Sequence, residues 1–357
     1  MHETDLHLEP NEASDLTQLF RPQVLAQHKW ELALATVLDE GPVEDAIAVL
    51  LHDAGAHVAE GWYARRVAAK ASQRKGATND AEACATRGGW LYVVGSQFGG
   101  KEGPLEPARS FIARLREDDI LQALIESTKP GAEVAWLRFG LHRAINDALA
   151  RAGVELIELG PRTREAYIDA TIRGGARDDK AWSGQVRSSD HPINVEAAAF
   201  RSNGRMLLGL RYPVTAGGQP LLVELDAPDR LFTGPDATPA CANVWYLENV
   251  GSDQEPVGLR ALHADGPDHF HAVVGDLDSG STTILADHPA GDRATSTHVR
   301  FSLPLAAAGG AVRCETVRRF DDVKRVEGIV TDEVGNSHYV IDRDHQVALR
   351  TLLVERA

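Results

Sequence analysis

A short phrase recurs along this chain and constrains its fold more than any other feature. In each copy an acidic residue is followed by small or apolar residues, a polar turn containing glycine, and an apolar run that ends in Gly or Asp. Each copy is typical of a β-hairpin, because two strand-like runs flank turn residues that tolerate positive φ. One hairpin cannot bury its apolar faces alone, so the recurrence predicts a ring of similar units. The charged residues of the four copies are Glu82, Glu196, Glu327 and, in a weaker copy with arginine at the acidic position, Arg260.

The intervals between the copies predict an all-β chain folded as a β-propeller. Glu82 to Gly95 and Glu196 to Gly209 both span thirteen positions, so two copies share their internal spacing. The copies begin at positions 82, 196, 260 and 327, which gives steps of 114, 64 and 67 residues. Steps of this size suit four-stranded blades with long loops. We predict six blades, with five to seven allowed, and a unit hidden or remodelled within the first, doubled step.

Helical patterns within that long step predict an insertion around residues 117–152. Asp118 and Asp119 can cap a segment whose apolar residues lie on one face and which closes before Pro130. The stretch 141–152 has apolar residues at helical spacing, is rich in alanine, and is followed by Gly153. An insertion of this kind would account for the doubled step.

The chain divides into an N-terminal segment, residues 1–77, and a propeller body, residues 78–357. Residues 32–38 alternate as in a strand, whereas residues 43–51 suit a strand or a helix equally well. We predict that the segment 1–77 forms either the first blade or a strand that closes the ring.

The composition argues against several classes of function. A net charge of −15 and a pI near 5.4 disfavour nucleic-acid binding, since phosphate groups require a basic surface. No stretch approaches the roughly twenty apolar residues of a membrane span, and the acidic N-terminus differs from a secretory signal. We therefore predict a cytoplasmic protein that does not contact a membrane. Three distant cysteines, Cys84, Cys241 and Cys314, argue against a disulfide framework and against a Cys-x-x-Cys zinc site.

Several motifs together resemble a known bacterial family. They are Asp80-Ala81-Glu82, Val94-Gly95-Ser96-Gln97, Asn194-Val195-Glu196, Gly209-Leu210-Arg211-Tyr212-Pro213, Gly258-Leu259-Arg260, Val326-Glu327-Gly328 and Asp342-Arg343-Asp344. Over residues 78–350 the chain resembles the family called domain of unknown function 3616, and it is more distantly similar to esterase-like phytases and six-bladed lactonases. The glycine that follows the acid in that family survives here only at Gly328. The resemblance implies a propeller fold and lends no reaction.

The repeated charges predict a polar site on the axis of the ring. If the phrase marks the inner strand of each blade, its charged residues occupy equivalent positions and converge. Converging carboxylates repel one another unless a cation, a proton or a guanidinium group intervenes. One hypothesis is that Glu82, Glu196 and Glu327 bind Ca²⁺ or another divalent cation, and the alternative is a site without a cofactor, in which these residues have a structural role. The full predicted set in this channel is Glu82, Glu196, Arg211, Arg260, Glu327 and Asp342.

Two functions stay open at the level of sequence. The first is a non-catalytic propeller that binds a small ligand, a cation or a protein partner. The second is a metal-assisted hydrolase of an ester, lactone or phosphoester, in which the arginines stabilise developing negative charge. The sequence has no nucleophile motif of known spacing, which favours the first. In a structural alternative each glutamate accepts backbone N–H bonds from the next blade as a latch. The sequence leaves the oligomeric state open.

A second polar cluster lies between residues 265 and 276. His269 and His271 share one face of a strand near Asp265, Asp268 and Asp276, an arrangement that could hold a transition metal. Because no spacing matches a zinc motif, a solvated loop beside a strand edge is the favoured interpretation. The segment 342–345, Asp-Arg-Asp-His, favours an ion-pair network over an acid–base role.

Overall fold

The computed structural model describes residues 2–6, 8, 12–39, 41–71, 77–234, 237–278, 283–323, 325–343 and 347–353. Its strands are arranged as four-stranded antiparallel sheets, here called blades. The first strand, β1 (His2–Leu6), is set apart from the four that follow it. Blade 1 consists of β2 (Ala13–Gln18), β3 (Trp30–Leu38), β4 (Ile47–Asp53) and β5 (Trp62–Val67), with helix α1 (Pro22–Gln27) between β2 and β3.

Blades 2 to 4 follow in chain order. A two-residue strand, β6 (Lys70–Ala71), pairs in parallel with the outer edge of blade 2. Blade 2 consists of β7 (Ala81–Arg87), β8 (Trp90–Gly95), β9 (Phe111–Arg116) and β10 (Gly131–Trp136). Blade 3 consists of β11 (Asn194–Phe200), β12 (Met206–Tyr212), β13 (Leu221–Leu225) and β14 (Cys241–Glu248). Blade 4 consists of β15 (Gly258–Ala264), β16 (His269–Gly275), β17 (Thr297–Ser302) and β18 (Gly310–Arg319).

Blade 5 is completed by the start of the chain. It contains β19 (Val326–Thr331), β20 (Ser337–Asp342) and β21 (Val347–Leu352), and β1 adds antiparallel to β21 as its fourth strand. Blades 3 and 4 join into one eight-stranded sheet through a parallel pairing of β14 with the start of β18.

The inner strands of the blades form a closed ring. In chain order β2, β7, β11, β15 and β19 each contact the next, and β19 contacts β2. The chain is therefore a β-propeller, as the repeat predicts. Within the described ranges it has five blades, which corrects the expected count of six and lies inside the allowed range of five to seven.

The long first step has no hidden blade, because helices occupy the extra length. Helix α2 (Glu117–Glu126) lies between β9 and β10, and α3 (Gly140–Ala152) follows β10 and ends at Gly153, whose φ is +63°. The predicted insertion around 117–152 is thus present, with strand β10 inside it. A later helical segment was not predicted. It comprises α4 (Pro161–Thr163), a π-helical turn (Arg164–Asp169) and α5 (Ala170–Arg177).

The remaining helical elements are short. They are α6 (Thr283–Asp287) and the 3₁₀ turns Pro107–Arg109, Pro228–Phe232 and Pro289–Asp292. Of the helices in the described ranges, none has the length and apolar character to cross a bilayer.

Each blade buries both of its faces against its two neighbours, which explains the continuous apolar runs in the sequence. On β12, Met206, Leu208 and Leu210 pack into the core shared with blade 2, whereas Leu207 packs into the core shared with blade 4. This arrangement removes the alternation that a one-sided sheet would show. Similar cores fill the seams between the other blades.

A separate apolar cluster lies beside the end of the ring where the inner strands begin. Phe98 and Tyr212 pack there with Tyr167 and Ile168 of the π-helical turn and Ile284 of α6. We call the segment 161–177 together with α6 the helical cap. Through Tyr167 it contacts the loop that contains Gly100 and Lys101, two residues that line the cavity described next.

Candidate functional site

The charged residue of the repeated phrase sits at a β-bulge in every copy. In blade 2, Ala81 pairs with Gly95 and Ala83 pairs with Val94, so Glu82 has no residue opposite it on β8. The same one-residue shift leaves Glu196, Arg260 and Glu327 unmatched in blades 3, 4 and 5. A bulge bends its strand and re-aims the side chain of the extra residue. The repeat therefore marks a structural device that turns one charged side chain per blade in the same direction.

These side chains line one cavity of about 680 Å³ at the end of the ring where the inner strands begin. All six residues predicted for the channel lie on its wall: Glu82, Glu196, Arg211, Arg260, Glu327 and Asp342. Charged side chains dominate the remaining wall, with aspartates and glutamates outnumbering arginines and lysines. The structure thus brings the predicted residues together.

Two arginines neutralise much of the cavity's negative charge. Arg211 donates from Nη1 to Glu196 Oε1 at 3.0 Å and from Nη2 to Asp276 Oδ1 at 2.8 Å. Arg260 donates from Nε to Glu327 Oε2 at 2.7 Å and from Nη2 to Glu327 Oε1. Its Nη1 also lies 3.4 Å from Glu196 Oε2. This is the interleaved guanidinium arrangement that relieves converging carboxylates.

The network is buried, and its charges shift the protonation of its members. Glu196, Arg211, Arg260 and Glu327 are 5 to 7% exposed. Burial disfavours the charged form of Glu196, but the guanidinium groups of Arg211 and Arg260 hold the pKa of its carboxyl below the usual range. Glu196 is therefore a carboxylate fixed between two cations.

Glu82 has a different environment. Its Oε2 accepts a hydrogen bond from Ser14 Oγ at 2.8 Å, and no cationic side chain in the described part of the chain forms a salt bridge with it. Burial raises the pKa of Glu82 well above the usual range, and the charges of Asp80, Glu196 and Asp39 raise it further. The carboxyl of Glu82 consequently holds a proton over a wider pH range than an ordinary glutamate does.

Asp80 and Arg109 form a third charged pair on the wall. Arg109 Nη1 donates to Asp80 Oδ2 at 2.6 Å, and Ser96 Oγ donates to the same oxygen. Burial raises the pKa of Asp80 although Arg109 opposes the shift. A fourth pair, Arg325 with Asp342, has an N–O distance of 3.0 Å.

Asp15, which the sequence analysis did not predict, links inner strands of different blades through hydrogen bonds to their backbone N–H groups. Its Oδ1 accepts a hydrogen bond from Leu16 N at 2.9 Å, and its Oδ2 accepts bonds from Cys84 N at 3.0 Å and Ala198 N at 3.1 Å. Inner strands have an unpaired edge facing the axis, so these N–H groups need an acceptor. Asp15 is fully buried, and burial raises its pKa although the N–H bonds favour the charged form.

The backbone latch proposed for the glutamates belongs to Asp15 instead. The described hydrogen bonds of Glu82, Glu196 and Glu327 run to side chains, whereas Asp15 ties its own blade to blades 2 and 3. Asp15 also explains the surviving glycine, since a Cβ at Gly328 would lie 2.9 Å from the carbonyl carbon of Asp15.

Arginine side chains already occupy carboxylate oxygens that the predicted divalent-cation site would use. Both oxygens of Glu327 accept bonds from Arg260, and Glu196 Oε1 accepts bonds from Arg211 and Asn194. In the described part of the chain no three His, Cys, Asp or Glu side chains are grouped so as to hold a metal ion. Binding of Ca²⁺ by Glu82, Glu196 and Glu327 stays a prediction, and it requires these side chains to rearrange.

The second polar cluster, at residues 265–276, does not form one site, because its members lie partly in the axial network and partly in the seam between blades 4 and 5. Asp276 joins the axial network through Arg211, whereas His271 lies in the seam between blades 4 and 5. There His271 Nδ1 is 2.8 Å from His298 Nε2, and His298 Nδ1 is 2.8 Å from Tyr339 Oη. His263 is the cross-strand partner of His271, and Arg300 follows on the next strand. Burial lowers the pKa of His271, although Asp265 Oδ2, 3.4 Å from His271 Nε2, opposes the shift. The seam is thus a chain of hydrogen-bonded rings in which burial disfavours the charged form.

The segment 342–345 is only partly described. Asp342 pairs with Arg325, and Arg343 pairs with Glu3, while Asp344 and His345 lie outside the described residues.

Two further acidic residues, Asp80 on the cavity wall and Asp276 in the arginine network, could have been predicted from the phrase itself. Asp80 lies two positions before Glu82, and Asp276 follows Gly275 at the strand end that corresponds to Asp342 in blade 5. Asp15 gave no such signal, because blade 1 lacks the phrase and its bulge contains two residues instead of one.

Comparison with known proteins yields low similarity. No protein-family model and no curated protein matches this chain, so the resemblance to the domain of unknown function 3616 family is not confirmed. The WD40 β-propeller domain of Doa1 aligns over 99% of this chain and 96% of its own, with 8% identity and a TM-score of 0.36.

Two bacterial structures give similar values. A putative 6-phosphogluconolactonase from Bacteroides uniformis ATCC 8492 aligns over 90% of this chain and 85% of its own, with 10% identity and a TM-score of 0.32. The extracellular domain of a putative one-component system from B. thetaiotaomicron aligns over 98% of this chain and 40% of its own, with 9% identity and a TM-score of 0.31. The propeller assignment rests on the strand pairing and the closed ring.

Proposed function

We propose that this propeller is a binding protein whose axial cavity takes a small hydrophilic molecule carrying a positively charged nitrogen. The observation that supports the proposal is the contrast between Glu82 and the other charged residues at the bulges. Glu196, Arg260 and Glu327 have partners of opposite charge, whereas Glu82 faces a cavity beside Asp80 and Asp39 with a serine hydroxyl as its hydrogen-bond partner.

A bound cation would relieve this repulsion. In its absence the raised pKa of Glu82 favours a proton on its carboxyl, which reduces the negative charge beside Asp80. An ammonium group could replace that proton while donating to several oxygens at once. An ammonium or guanidinium group accepts a broader range of oxygen positions than a divalent metal ion, which needs six to eight oxygens at short distance when it is calcium. The cavity volume of about 680 Å³ lies within the range of small-molecule sites.

A metal-assisted hydrolase has less support. Its proposed metal ligands Glu196 and Glu327 are held by guanidinium groups. Ser14 donates a hydrogen bond to Glu82, and no histidine or cysteine is found among the described wall residues to complete a familiar nucleophile arrangement. The binding experiment below includes calcium so that this alternative has its own outcome.

The test compares putrescine with 1,4-butanediol by isothermal titration calorimetry. The two molecules share a carbon chain, and only putrescine carries ammonium groups. We expect putrescine to bind at least about tenfold more tightly, which corresponds to ~1.4 kcal/mol. Glu82→Gln should abolish the preference, because it removes the carboxylate and keeps the shape.

Glu126→Gln, at an exposed position of α2, is the matched control and should leave binding unchanged. Equal binding of putrescine and butanediol, or a preference that survives Glu82→Gln, contradicts the proposal. Binding of CaCl₂ that depends on Glu82, without binding of putrescine, would favour the divalent-cation alternative.

A further inference from the structure

One cation on the cavity wall differs from the others. Arg109, Arg211, Arg260 and Arg325 each form a salt bridge with a carboxylate of the wall or its support. Lys101 lines the same cavity with an exposed side chain, and no described carboxylate lies within salt-bridge distance of its Nζ. Among the described wall residues, Glu82 is thus an acid and Lys101 a cation that form no salt bridge.

The loop that carries Lys101 is held in place by the helical cap. Tyr167 Oη lies 3.0 Å from the carbonyl oxygens of both Gly100 and Lys101 and donates to them. The Phe98 ring stacks on Tyr167 with a centroid distance of 4.4 Å. Gly99 permits this path, because a Cβ there would lie 2.1 Å from the carbonyl oxygen of Pro104. The loop is thus a built part of the cavity mouth.

We infer that the ligand is a zwitterion, with its ammonium group directed to Glu82 and a carboxylate or other anionic group directed to Lys101. This inference rests on the proposed function and adds the anionic half of the ligand. A molecule with both charges would give Glu82 and Lys101 a partner of opposite charge at once, whereas a simple amine would do so only for Glu82. Small amino acids and short peptides have this chemistry and suit a cavity of about 680 Å³.

The test measures affinities for a series of amino acids paired with their amides. Glycine, β-alanine, 4-aminobutyrate and 6-aminohexanoate carry an ammonium and a carboxylate at increasing separation, and each amide keeps the ammonium but loses the negative charge. We expect at least one acid to bind about tenfold or more tightly than its amide. Lys101→Gln should remove that difference and leave the affinity for the amide unchanged.

The control is Lys129→Gln, which changes an exposed lysine outside the cavity and should preserve the preference. Equal affinities of every acid and its amide overturn the inference, and so does a preference that persists in Lys101→Gln. If putrescine binds through Glu82 while no acid exceeds its amide, only the zwitterion inference fails. If neither putrescine nor any amide binds, the proposed function fails with it.

Discussion

The histidine seam between blades 4 and 5 predicts a large loss of stability in mild acid. Burial lowers the pKa of His298 to about 3, and the neighbouring His271, Arg300 and His263 oppose its protonation further. Burial likewise lowers the pKa of His263 to about 4, with His271 and His338 adding to the shift. Both rings are therefore neutral in the folded protein throughout mild acid.

The sign and size of the effect follow from linkage. In the unfolded chain each histidine titrates near its ordinary pKa of about 6.5. The stability contributed by a neutral buried ring is fully present above that pH and is lost as the pH falls toward the folded value. Between about pH 7.5 and pH 5 each ring loses ~2 kcal/mol, and the two together lose ~4 kcal/mol. Both folded pKa values lie below 5, so this result depends little on their size.

The assay is the free energy of unfolding in urea at the two pH values. His298→Gln removes one titrating ring, so its loss between them should be about 2 kcal/mol smaller than that of the parent protein. His28→Gln, at an exposed position, is the control and should match the parent. His298→Gln also loses hydrogen bonds to His271 and Tyr339, which lowers stability at both pH values and leaves the difference interpretable. Equal pH-dependent losses in the parent and His298→Gln would refute the argument.

Two further predictions concern the axis. Asp15→Ala removes the acceptor of three buried N–H groups and places alanine at a φ of +52°, so it should lower the free energy of unfolding by about 3 kcal/mol or more. Asp15→Asn should cost less, and a urea melt of Asp15→Ala that matches the parent would show that these N–H groups find other partners. Because the pKa of Glu82 is raised, its carboxyl must lose a proton before it binds a cation, and the affinity for putrescine should rise as the pH rises through that pKa. Calorimetry in two buffers of different ionisation enthalpy should show this proton release, and identical apparent binding enthalpies would contradict the prediction.

The position of the cavity could be predicted from the sequence because the charged residue of each repeat copy occupies a β-bulge. Glu82, Glu196, Arg260 and Glu327 sit at equivalent bulges, and a bulge needs the same local pattern in each blade. Residues at equivalent positions in the blades of a ring converge on its axis, so their proximity can be predicted before any contact between them is known. Arg211 and Asp342 were predicted from their own motifs, and the structure places both at or next to the end of the second strand of a blade.

Features that do not repeat escaped prediction. The blade count was one too high because the helical segment 161–177 lengthened the first step, and its apolar residues pack on the cap cluster instead of a blade core. Asp15 was missed because its positive φ turns a carboxylate inward at one place only, where N–H groups from distant parts of the chain meet. Lys101 could not be assigned, because its position depends on Tyr167, sixty-six residues further along the chain.

The pairing of β1 with β21 makes closure of the ring a contact between distant parts of the sequence. Glu3 lies opposite Arg350, and the two residues are 347 positions apart. The apolar seam between blades 5 and 1 is complete only when these strands have met, and until then β21 presents an unpaired edge. Because contacts between distant residues carry the largest loop-closure entropy, we expect this seam to form late in folding.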